Sequence, residues 1–183
     1  METKRLFISI PLPDSMKETL SAYMKQEMRR IKQNLHPTKA QNLHITTLFL
    51  GDIAVELLPA IQLAITRGLQ TCVAFDLPFD RICFMPNTTR PRMIWAEFAK
   101  SEAFSELVWK LKTALEPIVG MIEEERKPIP HVTLIRLKHF YMKEKIKLPE
   151  LTLSPLHIGS CELMESHLSN LGPEYQCIQQ FSL

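Results

Sequence analysis

Glycine is scarce in this chain. Gly51, Gly68, Gly120, Gly159 and Gly172 are all it has, and their spacing makes neither G-x-G-x-x-G, nor a Walker loop, nor a nucleophile elbow. Phosphate cradling by a glycine-rich loop is therefore excluded, and the commonest nucleotide-cofactor folds go with it. The four cysteines, Cys72, Cys83, Cys161 and Cys177, show no C-x-x-C and no zinc-ribbon spacing. No stretch approaches the roughly 20 apolar residues of a membrane helix. The apolar run near the start, "LFISIPLP", is short and broken by proline, unlike a signal peptide. These absences predict a cytoplasmic protein with reduced thiols, its cysteines serving as small buried hydrophobes. A net charge of +2 excludes a strongly basic nucleic-acid coat while leaving room for a local basic site.

What is present suits a globular protein. A hydrophobic share of 45% and a charged share of 23% are ordinary, and 183 residues suit one domain or one domain built of two similar halves. "RLFISIPL" reads as a strand stopped by Pro11 and Pro13. Asp14 or Ser15 then caps a helix to about Lys32, with Met16, Leu20, Met24 and Ile31 near one face. "NLHPTKAQ" reads as a loop, and "LHITTLFL" as a strand that "GD" ends. A helix is expected at about 54–69. "CVAFDLPFDRICF" and "PRMIWAEFA" read as two strands around a turn. Ser101 caps a helix carrying Phe104, Leu107, Val108, Leu111 and Leu115 and stopping near Gly120. "EEERK" is a solvated loop, "PHVTLIRL" another strand, and the last third three short strands. The order, roughly β-α-β-α-β-β-α-β-β-β-β, argues an α+β fold with largely antiparallel sheet.

Two of these strands repeat one pattern. "LHITTLFLG" at 43–51 and "PHVTLIR" at 130–136 each place a histidine two residues before a threonine. Residues two apart in a strand share a face, so His44 lies beside Thr46 and His131 beside Thr133. A single such strand is ordinarily a half-buried histidine next to a β-former. Two of them, with no H-E-x-x-H and no obvious acid pair elsewhere, point to a paired site. Two facing histidines supply one neutral base and one imidazolium acid near neutral pH, since an ordinary histidine titrates near ~6.5. Positioned proton transfer contributes on the order of 10²–10⁴-fold. Threonine hydroxyls can donate to oxygens on which charge develops. That chemistry suits phosphodiester cleavage without a metal or cofactor. A zinc site lacks a third and fourth ligand at recognisable spacing.

With those residues in place the chain resembles the 2H phosphoesterases, and within them the RNA 2′,3′-cyclic phosphodiesterases historically called 2′-5′ RNA ligases. "RLFISIPLP", "NLHITTLFLGD", "CFMPNTTRPRMIW", "PHVTLIR" and "ELMESHLSNLGPEYQCIQQFSL" carry the resemblance over nearly the whole chain, the tail through Glu165-Ser166, Gly172-Pro173 and Tyr175. The resemblance implies a single domain over 1–183 with two pseudo-symmetric lobes, their largely antiparallel sheets facing across a central cleft and flanked by helices. It implies hydrolysis of an RNA 2′,3′-cyclic phosphate to a 2′-phosphate, with RNA 3′ ends or short oligonucleotides as partners and a monomeric enzyme. His44 and His131 become the proton-transfer pair, His44 protonating the departing 3′ oxygen and His131 activating water. Thr46 and Thr133 bind the phosphate. Thr47 stands where the family commonly has leucine, on the face away from the cleft. Arg136 matches a phosphate-binding arginine, yet strict alternation from His131 puts it on the opposite face unless a bulge intervenes.

His36, His139, His157 and His167 read as solvent-exposed or structurally satisfied. Arg90 and Arg92 read as a solvated turn, and Phe49 and Tyr175 as core aromatics sooner than base-stacking ones. Near-neutral net charge favours contact with few nucleotides. Cleavage of 2′,5′-linked oligonucleotides or small cyclic nucleotides, reverse 2′-5′ ligation, and RNA-end binding without turnover are alternatives that the same site would serve.

Overall fold

A computed structural model describes residues 2–31, 35–122, 128–137, 146–169 and 172–183. The readings of His139 and of the "EEERK" loop lie outside these. β1 (Thr3–Pro11) ends at its proline, and α1 (Asp14–Ile31) follows with Asp14 in its first turn and Arg29 and Arg30 in its last, each favoured by the helix dipole. The chain continues through β2 (Leu35–Pro37), β3 (His44–Ala54), α2 (Leu58–Leu69), β4 (Phe75–Leu77), β5 (Phe79–Met85) and β6 (Met93–Phe98). Then come α3 (Glu102–Val119), β7 (His131–Leu137), β8 (Leu156–Ile158), β9 (Ser160–Ser169) and β10 (Gly172–Ser182). The Ser101 side chain caps α3 by accepting from Phe104 N at 3.2 Å.

Three segments differ from the pattern-based reading. The stretch expected as a loop contributes β2, which pairs with β7. Pro78 splits the run at 72–84 into β4 and β5. β3 does not stop at Gly51: that glycine takes φ +80°, and pairing with β1 resumes through Asp52 and Ile53. The helix expected at about 54 accordingly begins at Leu58. Only a residue without a Cβ makes such a turn cheaply inside a paired strand.

The main sheet runs β10-β9-β1-β3-β7-β6-β5, with β2 added beside β7, and β4 and β8 form a separate ribbon. Every described pairing is antiparallel. Among the described residues the long sheet is two four-stranded lobes that meet at a single pairing, Ile45 with Val132. The two-lobed α+β architecture is thus present, its lobes hinged on the two histidine strands.

One face of this sheet carries the core. Leu6, Ile8, Ile10, Ile45 and Val132 are buried with Leu20 and Met24 of α1, Ile61 and Ile65 of α2, and Phe104, Leu107 and Leu111 of α3. α2 and α3 approach closely at Gly68, where an added Cβ would come within 3.2 Å of the Ala114 Cβ. The cysteines are all free, but Cys177 is exposed on β10 and only Cys161 is fully buried. The expectation of four buried thiols therefore fails at the outer strand, whose side chains are mostly solvent-facing. No helix among the described residues is long and apolar enough to cross a membrane.

Candidate active site

The face of the sheet opposite the core is lined with polar and aromatic side chains. Cross-strand neighbours in an antiparallel sheet project to the same side, so the registers of β5, β6 and β7 define three rows. These are Arg81–Glu97–His131, Cys83–Trp95–Thr133 and Met85–Met93–Arg136. From the other lobe, Pro11 lies opposite His44, Ser9 opposite Thr46 and Phe7 opposite Phe49. Phe7 is buried yet stands apart from the main core, because it packs on this second face. The one pairing between lobes, Ile45 with Val132, sends both its side chains into the core. Its flanking residues, His44 and Thr46 on one strand and His131 and Thr133 on the other, lie on the opposite face.

Both histidine strands break their alternation at the same place. Thr46 pairs with Ser9 and Leu48 with Ile8, which leaves Thr47 as an extra residue. Thr133 pairs with Trp95 and Ile135 with Ile94, which leaves Leu134 as an extra residue. Residues 44–49 and 131–136 consequently share one burial order: half-buried, buried, half-buried, buried, buried, exposed. The bulge turns Arg136 onto the face of His131 and Thr133, where strict alternation would not put it. It turns Phe49 likewise, leaving that ring 67% exposed. Thr38 secures the second bulge, donating its N–H to the Leu134 carbonyl and its hydroxyl to the Thr133 carbonyl, both at 2.8 Å. Thr47 faces the core, where its hydroxyl donates to the Ile8 carbonyl at 3.0 Å.

The two imidazoles are held in the same way. His44 Nδ1 lies 2.7 Å from the Asn42 carbonyl, and His131 Nδ1 lies 2.7 Å from the Ile129 carbonyl. A carbonyl can only accept, so each Nδ1 carries the proton and each Nε2 is the nitrogen left for chemistry. The Thr46 hydroxyl is 3.0 Å from His44 Nε2 and donates to it while that ring is neutral. Asn42 is itself anchored, its side-chain amide donating to the Pro173 carbonyl at 2.8 Å, so the C-terminal hairpin fixes the first histidine. Tyr175 meets His44 edge-on at 5.3 Å between ring centres, with Phe7 tilted against the same ring at 5.1 Å. His131 instead lies flat on Trp95, with centres 3.5 Å apart and planes 13° apart.

Burial pushes both histidines below their ordinary titration range. For His44 the hydrogen bond to Asn42 opposes this, while the positive charges of His131 and Arg136 reinforce it. For His131 the hydrogen bond to Ile129 and the carboxylate of Glu97 oppose it. Burial also raises the Tyr175 phenol, and Arg136 draws it back. His44, Thr46, His131, Thr133 and Arg136 therefore share one face. Among the other histidines, His36 is exposed on β2 opposite Arg136. His157 bonds Asp76 at 2.8 Å, and His167 lies 3.5 Å from Glu165. Arg90 belongs to a turn organised by the Asn87 side chain, and Arg92 is exposed. Trp95, Glu97, Asn42 and Thr38 were not singled out by pattern, and only cross-strand register brings them to the site. Among the described residues no three His, Cys, Asp or Glu side chains gather where they could hold a metal ion.

Comparison with known proteins finds relatives over nearly the whole chain. The LigT like Phosphoesterase family matches residues 10–95, a span that holds the first motif. An RNA 2′,3′-cyclic phosphodiesterase of Thermus thermophilus is 30% identical over 191 residues, covering 98% of this chain and 90% of the relative. Another of that name from Methanocaldococcus jannaschii is 28% identical over 186 residues, covering 97% of this chain and 99% of the relative. The crystal structure of a Thermus thermophilus protein superposes with a TM-score of 0.81 at 26% identity, covering 98% of this chain and 97% of that one. Escherichia coli LigT, crystallised with 3′-AMP, shares the fold with a TM-score of 0.81 at 23% identity, covering 100% and 99%. The chain belongs to the LigT-like phosphoesterases, a 2H phosphoesterase family whose curated members are named RNA 2′,3′-cyclic phosphodiesterase.

Proposed function

We propose that this protein hydrolyses 2′,3′-cyclic phosphate ends of RNA to 2′-phosphates, using His44 and His131 as its proton-transfer pair. The observation that carries the reading is the matched presentation of two Nε2 atoms. Each comes from a histidine whose Nδ1–H is fixed by the carbonyl two residues earlier, and the two flank the single pairing between the lobes. Fixed tautomers remove the need to reorient the rings during reaction.

A neutral imidazole accepts a proton from water through Nε2 as the water oxygen attacks phosphorus. The bond from phosphorus to the 3′ oxygen breaks, and that oxygen takes its proton from the other, charged imidazole. The product has a 3′ hydroxyl and a 2′-phosphate, and the two rings have exchanged protonation states. The resemblance assigns donation to His44 and water activation to His131. Thr46 and Thr133 donate to the non-bridging oxygens as charge builds on them, and Arg136 balances that charge. Phe49 offers an exposed ring on the same face for the terminal base. Such a site engages the RNA end alone, which agrees with a net charge of +2. We read the whole chain as one catalytic unit of two related lobes, active as a monomer in the cytoplasm without cofactor or metal.

The test is hydrolysis of a short RNA ending in 2′,3′-cyclic phosphate, in the presence of EDTA, with the product's phosphate position identified. Formation of the 2′-phosphate supports the reading. Turnover only of 2′,5′-linked oligonucleotides, only of mononucleoside cyclic phosphates, or tight binding of cyclic-ended RNA without product would overturn it in favour of the corresponding alternative.

A further inference from the structure

We propose that the RNA strand leading to the cyclic phosphate leaves the site over the Arg136 end of the second lobe, where His36 and Arg90 hold its upstream phosphates. The proposal deepens the reading of the site as one for cyclic-ended RNA and rests on it.

The cleft has two unlike ends. β3 and β7 are antiparallel and meet at Ile45 and Val132, so β7 continues past His44 to Arg136, while β3 continues past His131 to Phe49. The electrostatics agree, since Arg136 acts on His44 and Glu97 on His131. At the Phe49 end the ring is exposed, and the charges there are matched among themselves. Arg81 reaches the two Glu97 carboxylate oxygens at 3.3 and 3.4 Å and lies 3.8 Å from an Asp80 oxygen. The Arg136 end is cationic instead. His36 of β2 is the register partner of Arg136 and so shares its face. Met93 and Met85 continue that row, and Arg90 is exposed in the turn that joins β5 to β6 beyond Met85. Among the described residues no carboxylate pairs with His36, Arg90 or Arg136.

This end is ordered. The Asn87 side-chain oxygen accepts from the N–H groups of Thr89 and Arg90 at 3.0 and 2.9 Å, which fixes the backbone that carries Arg90, and Pro91 beside it is buried. The Arg136 guanidinium points along the row, with Nη1 3.8 Å from Met93 Sδ. From β2 to β5 the row crosses about 14 Å of sheet, enough for only the last few nucleotides. Between its cationic groups the two thioethers give a base a soft apolar surface.

The substrate's own geometry says which end takes the strand. In a ribose 2′,3′-cyclic phosphate the base hangs from the carbon beside the 2′ oxygen, and the 5′ chain from the carbon beside the 3′ oxygen. With the terminal base on Phe49, the 3′ oxygen points to His44, the ring assigned to protonate it. The 5′ chain then passes over Arg136, away from the Glu97 carboxylate. His36 has an N–H to donate in either protonation state, and Arg90 offers a fork of donors that suits a phosphate.

Arg92 supplies an internal control. Its N–H donates to the Met85 carbonyl and its carbonyl accepts from the Leu137 N–H, so it extends the ladder one residue beyond Met93. Its side chain therefore takes the other face. It carries the same charge at the same end but off the path.

The experiment measures kcat/KM on a nucleoside 2′,3′-cyclic phosphate and on a tetranucleotide with the same end, for the wild type, His36→Gln, Arg90→Gln and Arg92→Gln. The wild type should prefer the tetranucleotide. His36→Gln and Arg90→Gln should each cut that preference roughly two- to tenfold, the worth of one net hydrogen bond, through KM sooner than kcat. Arg92→Gln should leave the preference unchanged. Binding of the 2′-phosphate-ended tetranucleotide, followed by fluorescence anisotropy against salt, needs no turnover. There Arg90→Gln should flatten the slope of log affinity on log salt by about 0.7, as for one lost phosphate contact to a single strand. Equal kcat/KM on the two substrates, a loss in Arg92→Gln as large as in Arg90→Gln, no binding of the tetranucleotide, or a slope unmoved by Arg90→Gln would overturn the proposal. Failure of the proposed activity would appear separately, as absence of product from either cyclic phosphate, and the anisotropy would still decide the path.

Discussion

Arg136 offers a sharp test of the site because its position depends on one extra residue. Without the bulge at Leu134 its guanidinium would face the core side of the sheet. With it, Arg136 is exposed on the face of both histidines, in the row of Met93 and Met85. Arg136→Met keeps the aliphatic stem and removes the charge. An exposed side chain contributes little to folding, so stability should be nearly unchanged. Hydrogen bonds to charged groups are worth about 1.5–3 kcal/mol. Loss of one phosphate contact should therefore lower kcat/KM on cyclic-ended RNA roughly ten- to hundredfold.

The same substitution should also shift a titration, in a definite direction. Arg136 is one of the positive charges that push the proton off His44, so its removal must raise the His44 midpoint. The kcat/KM profile reports ionisations of the free enzyme, and with His44 as the acid its alkaline limb should move to higher pH. Initial rates across pH 5 to 8.5, read beside an NMR titration of His44, measure both effects. Unchanged kcat/KM, or a His44 midpoint that stays or falls, would refute the placement of Arg136 in the site.

The threonines should separate by face. Thr46→Val and Thr133→Val each remove a donor to a developing charge and should lower kcat roughly 10²-fold, whereas Thr47→Val should leave kcat alone and cost about 1 kcal/mol in urea unfolding through its lost bond to the Ile8 carbonyl. Equal kinetic losses at all three positions would contradict the bulged register. Stability should also depend on pH, because burial lowers both catalytic histidines. The unfolded chain takes up these protons near pH ~6.5 while the fold resists them, so the contribution is complete above that pH and is lost as pH falls below it. Thermal unfolding between pH 7.5 and 5 should show a Tm that drops on acidification, less steeply in His44→Gln; an equally steep drop in that variant would show that His44 is not the cause.

The local features were legible in the sequence and the long-range ones were not. Helical spacing exposed the buried faces of α1 and α3, and Met16, Leu20, Met24, Phe104, Leu107, Val108, Leu111 and Leu115 are all buried. The two His-x-Thr pairs were visible because each lies within three residues of one strand. The bulges were hidden, since the runs Thr47-Leu48 and Leu134-Ile135 read as continuous strand and nothing local says that both members turn to the core. β2 was hidden because three residues carry no period, and its pairing partner is about a hundred positions away. Glu97 and Trp95 looked like alternating members of an ordinary strand, and only the register of β6 against β7 brings them to His131. Cys177 misled because cysteine is usually buried, whereas an outermost strand exposes most of its side chains.

The central claim is that two histidines from two lobes act as one catalytic unit on an RNA 2′,3′-cyclic phosphate. Its most direct test is single-turnover hydrolysis of such an RNA in EDTA by the wild type, His44→Ala, His131→Ala and the double variant. The account predicts 2′-phosphate from the wild type, a loss of roughly 10²–10⁴-fold in each single variant, and a double variant little worse than the poorer single one, as for residues that work together. A single variant that retains the wild-type rate would contradict it.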